Sequence, residues 1–73
     1  MFDTYLLSDL DGNIIAKREI IHHLRLILNE RGIKPNEKFI VRSWVTGFEL
    51  FVTDTTTADE WRDFDDKCKY ALD

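Results

Sequence analysis

Ser8-Asp9-Leu10-Asp11-Gly12-Asn13-Ile14-Ile15 is the stretch that decides how this chain is built. Asp11-Gly12 is a hairpin dipeptide, because both residues tolerate the positive φ that a tight strand-to-strand turn demands; Ile14 and Ile15 would then return along the preceding strand. Asn13 is also a good helix N-cap, its side-chain oxygen accepting a backbone N–H of the first turn. We take the cap and keep the hairpin as the alternative. Upstream, Phe2 to Ser8 is rich in aromatic and aliphatic residues and reads as a strand. Downstream, Ile14 to Arg31 reads as a helix. On a helical wheel Ile20, Ile21, Leu24, Ile27 and Leu28 fall within about a third of the circumference, and Leu26 lies outside that stripe. Gly32 stands where a left-handed C-cap belongs, and Pro35 prevents continuation.

Phe39 to Asp54 reads as a hairpin turning at Thr46-Gly47. A two-residue loop pairs Val45 with Phe48, Ser43 with Leu50 and Val41 with Val52 on one largely apolar face. The other face pairs Trp44 with Glu49, Arg42 with Phe51 and Ile40 with Thr53. Thr is a poor residue for such a turn, so a longer loop stays open. Thr57-Ala58-Asp59-Glu60 matches the capping box, and a helix should run from Ala58 to about Leu72. Its apolar stripe is Trp61, Phe64, Cys68, Ala71 and Leu72. The expected fold is α+β, one small domain over residues 1–73. Its order is β-α-β-β-α: a three-stranded, mainly antiparallel sheet with two helices on one face.

The chain has 73 residues, 44% hydrophobic and 33% charged, with one Cys. A lone Cys makes no internal disulfide, which excludes a disulfide-stapled miniprotein. No apolar run approaches the ~20 residues of a membrane span, and Met1-Phe2-Asp3 is no signal-peptide start, so a cytoplasmic protein is expected. The net charge of −4 is unevenly laid out. Residues 1–13 carry −3, residues 14–47 carry +4 and residues 48–73 carry −5. Acidity overall disfavours non-specific nucleic-acid binding, which runs on Lys and Arg neutralising phosphates.

Few residues suggest chemistry. Leu6-Leu7-Ser8-Asp9-Leu10-Asp11-Gly12-Asn13 resembles the first motif of haloacid-dehalogenase-type phosphatases. The resemblance implies Asp9 as nucleophile, Asp11 as general acid/base and a bridging Mg²⁺. Asn13 stands where that family usually has Thr, and the later motifs have no room. A calcium loop fails at both end positions, Leu7 and Arg18, where carboxylates are required. His22 and His23 point about 100° apart on a helix and cannot chelate together. Cys68 lies on the core stripe. No enzyme, cofactor or metal site is therefore expected.

Two surfaces stand out instead. Asp59, Asp63, Asp66 and Tyr70 form a ladder opposite Trp61 on the last helix, suited to a basic surface of a partner, including one built for nucleic acid. Ile40, Trp44 and Phe51 share the sheet face away from the helices and offer apolar contact or self-association. The expected function is a non-enzymatic acidic adaptor or inhibitor that binds a partner protein. The alternative is an RNA- or single-strand-binding module stacking bases on Trp44 and Phe51 beside Arg42. In size and charge the chain is similar to phage host-takeover and defence-inhibitor proteins. The β-α-β-β-α order with an acidic last helix also resembles the DinI family, which modulates RecA filaments.

Overall fold

A computed structural model describes residues 3–72. The elements are β1 (Tyr5–Asp9), β2 (Ile14–Arg18), α1 (Ile21–Arg31), β3 (Phe39–Ser43), β4 (Glu49–Val52) and α2 (Ala58–Leu72). The sheet has four strands, all antiparallel, in the order β2-β1-β3-β4. Both helices lie on one of its faces, as expected. The strand count and element order correct the sequence reading, and the likeness in topology to the DinI family goes with them. Phe2, taken as the start of the first strand, lies outside the described residues.

The extra strand comes from the deciding segment. Asn13 is not an N-cap; residues 14–18 return along β1, and the helix starts seven residues later than expected. The Asp9 carboxylate organises this turn. Its Oδ1 accepts the backbone N–H groups of Asp11 and Asn13, both at 2.9 Å, and its Oδ2 accepts the Asn13 side-chain amide at 3.0 Å. Gly12 takes φ +89°, which costs a Cβ-bearing residue and costs glycine nothing. Between Leu7 and Ser8 the register jumps from Ala16 to Ile14, so Ile15 is the extra residue of a bulge. α1 begins without a side-chain cap. Ile20, placed on the core stripe by periodicity, precedes the helix and is exposed.

The second hairpin keeps its faces but not its register. Val41 pairs with Leu50 and Arg42 with Glu49, two residues from the expected alignment. The loop has four residues, Trp44 to Gly47: Gly47 N–H bonds to the Ser43 carbonyl at 2.9 Å, and Gly47 supplies φ +77°. A slip of two preserves which side each residue faces, so the apolar alternation survives the error. Val45, expected to join the inner face, is exposed in this loop.

The core joins one sheet face to both helices. Tyr5, Leu7, Phe39, Val41 and Val52 from the sheet pack with Ile21, Leu24 and Leu28 of α1 and Trp61, Phe64 and Cys68 of α2. Each large side chain buried this way contributes roughly 1.5–3 kcal/mol. Ala71, expected on the stripe of α2, is exposed. The capping box forms as the sequence predicts: Glu60 N–H donates to Thr57 Oγ1 at 3.2 Å and Thr57 N–H to Glu60 Oε1 at 3.4 Å. Between α1 and β3, Lys34-Pro35-Asn36-Glu37 closes a turn, with Glu37 N–H on the Lys34 carbonyl at 3.1 Å and Asn36 at φ 70°.

Candidate functional site

The sheet face away from the helices is uncovered, and the strand pairings arrange it in rows. Ile14, Ser8, Ile40 and Phe51 align across β2, β1, β3 and β4. The next row is Lys17, Leu6, Arg42 and Glu49. Beyond it Trp44 N–H bonds to the Thr4 carbonyl at 2.8 Å, which extends the face by one step. Ile14, Trp44 and Phe51 are 63%, 72% and 57% exposed, whereas Ile40 is half-buried. One shallow groove runs along Leu6, Ser8, Ile14, Ile40 and Arg42, and a second along Thr4, Leu6, Ile14, Lys17 and Trp44. The structure thus brings Ile40, Trp44 and Phe51 to one face. It adds Leu6 and Ile14, which sequence reasoning missed. The Asp11-Gly12 hairpin signal was the clue to Ile14.

Charge on this face is close to balanced. Arg42 Nη2 reaches Glu49 Oε2 across the strands at 2.9 Å, which leaves Lys17 as the other base in the rows. Base stacking on exposed aromatics needs a basic surround to hold phosphates, and here one of the two bases is already paired.

The ladder occupies the other side of the molecule. Asp59, Asp63, Asp66 and Tyr70 are all exposed on α2, Tyr70 at 79%, while Trp61, Phe64 and Cys68 beneath them are buried. The three bases of α2 are each engaged. Arg62 pairs with Asp59, Lys69 Nζ lies 3.1 Å from Asp65, and Lys67 Nζ sits 4.4 Å from the centroid of the Phe48 ring. Asp63 and Asp66 consequently have no ion pair among the described residues. Like charges three or four residues apart on a helix cost a few tenths of a kcal/mol per pair. The acidic ladder and the apolar sheet face point in opposite directions, so one flat partner surface cannot cover both.

Asp9 organises the β1–β2 turn, and its carboxyl is held below the usual range, first by the Asn13 side-chain amide and then by backbone N–H groups. Among the described residues no three His, Cys, Asp or Glu side chains converge to hold a metal ion, and no helix is long and apolar enough to cross a membrane. Compared with known proteins, the chain matches no family model, no curated sequence and no solved structure.

Proposed function

We propose that this protein is a non-enzymatic binding module, an adaptor or inhibitor that docks a basic surface of a partner protein through the outer face of α2. The observation that carries this reading is the disposition of charge on that helix. Its bases are taken up by Asp59, Asp65 and the Phe48 ring, so Asp63 and Asp66, on the same face as the exposed ring of Tyr70, have no ion-pair partner among the described residues. A partner's Lys or Arg side chains would relieve the repulsion within the ladder and gain charge-assisted hydrogen bonds. The capping box and the three core anchors beneath hold the helix rigid, which lowers the ordering cost of binding. A surface built for phosphates offers the matching chemistry, which makes a nucleic-acid-processing enzyme of the native cell the favoured target.

The test is affinity capture from a nuclease-treated lysate of that cell, comparing the native chain with D63K/D66K. The native chain should retain a partner with a basic surface, released by raised salt. The variant should keep its helical circular-dichroism spectrum and lose the partner. Equal capture by a folded D63K/D66K protein removes the ladder from the reading.

A further inference from the structure

We propose that the open sheet face is the interface of a symmetric dimer, in which two copies stack face to face about a two-fold axis parallel to the strands and running between β1 and β3. The strand order β2-β1-β3-β4 places an edge strand on each side of that axis. The rotation therefore lays β2 of one copy over β4 of the other and β1 over β3, and keeps each cross-strand row over itself.

The residues that then meet are largely apolar in the first row and complementary in charge in the second. Ile14 lies over Phe51 and Ser8 over Ile40 in the first row, each contact made twice. In the second row Lys17 of each copy lies over Glu49 of the other, and Leu6 lies against the aliphatic stem of Arg42. Lys17 thereby joins the Arg42–Glu49 pair, and each Glu49 lies between its own Arg42 and the Lys17 of the other copy. Trp44 covers the backbone at Thr4 of the other copy. An axis perpendicular to the strands and passing through the same row would put Arg42 over Arg42 and Glu49 over Glu49, which like-charge repulsion disfavours.

The size of the patch fits the same conclusion. Trp44 and Phe51 together leave on the order of 300 Å² of aromatic surface in water, on either side of the Arg42–Glu49 pair. Doubled by the symmetry and widened by Ile14, Leu6, Ile40 and the charged row, the contact reaches ~1,000 Å², the lower bound for a specific interface. A reversible dimer follows, with sheets packed as in a sandwich and both α2 helices facing outward. The assembly uses no residue of the acidic ladder, so it stands or falls separately from partner docking.

Sedimentation equilibrium of the untagged chain from micromolar to millimolar concentration is the test. The mass should climb from 8.7 kDa towards twice that value. Phe51→Glu should stay folded by circular dichroism and remain monomeric throughout. Lys17→Glu and Glu49→Lys should each weaken association by about tenfold, because every opposite-charge contact becomes a like-charge one. Mixed one to one, K17E and E49K should recover a heterodimer at least as tight as the native pair, since both contacts are then opposite in sign; native mass spectrometry reads this directly. A chain that stays monomeric at millimolar concentration overturns the proposal. So does a folded F51E protein that still dimerises, or a K17E and E49K mixture no tighter than either alone. Quenching of Trp44 by a single-stranded oligonucleotide in a chain that never dimerises assigns the face to nucleic acid instead.

Discussion

Ser43, fully buried at the end of β3, donates its hydroxyl to the carboxylate of Asp3, forty residues earlier in the chain. The same carboxylate accepts Val45 N–H at 3.1 Å and Thr4 N–H at 2.7 Å, and Ser43 Oγ accepts Thr46 N–H at 3.1 Å. One buried acid thus ties the start of the chain to the β3–β4 loop, the loop that carries Trp44.

Removing that acid should cost more than removing the hydroxyl. Asp3→Ala strands several donors with no acceptor, an expected loss of about 2–3 kcal/mol, while Ser43→Ala removes two bonds but strands a single donor, the Thr46 N–H, and should cost about 1–2 kcal/mol. Urea denaturation of the two variants measures both. Equal stability of Asp3→Ala and the native chain would show the clamp to be idle.

Tyr5 sits beneath this clamp, and burial, with the nearby Asp3 charge second, pushes its phenol up to about 12. The unfolded phenol ionises near 10, at about its model-compound value. The folded state therefore holds a proton that the unfolded state has released between those values. Stability from this group is complete below pH 10 and is lost as pH rises from 10 to 12. In Tyr70→Phe, Tyr5 is the sole tyrosine, and its absorbance change at 295 nm should come near pH 12. A midpoint near 10 would place that ring in water.

Cys68 is fully buried and its thiol is raised, chiefly by burial. Alkylation with iodoacetamide at pH 8 should be negligible in the folded chain and should rise with urea in parallel with unfolding. Rapid labelling without denaturant contradicts a closed core at α2.

The first turns also make separate demands. Gly12→Ala must place a Cβ at φ +89° and should destabilise the chain by about 1 kcal/mol, although nothing lies within 4 Å of the added atom. Thr57→Ala should cost about 1 kcal/mol through the lost cap. Thermal melts rank the two; Gly12→Ala without effect would argue against the hairpin that creates β2.

The second half of the chain was legible because its signals agree. Thr57 and Glu60 mark a helix start, Trp61, Phe64 and Cys68 repeat at helical spacing, and alternation in 39–52 fixes faces even where register slips. The first half was ambiguous because its signals compete. Asn13 serves a cap or a turn, and Ala16-Lys17-Arg18 are good helix formers that nonetheless extend. What decides is non-local: β1 carries Leu7, wholly buried, and pairing on both edges makes it a central strand. Asp3 gave no hint of burial, because an acid goes inside only where donors from distant residues await it. The sheet-face aromatics were placed correctly, but Ile14 and Lys17 reach that face only through β2.

The strand order also governs how the chain folds. Each outer strand is joined to its inner neighbour by a short turn, and each such pair is followed by a helix, so the molecule is two ββα halves sharing one core. Their sheets meet where β1 pairs with β3, between residues thirty or more apart. A hairpin forms in microseconds in isolation, but this seam pays the closure entropy of a long loop. Cleaved at the Lys34–Glu37 turn, each half would present an open sheet edge and half a core, and would hold its structure only when bound to the other.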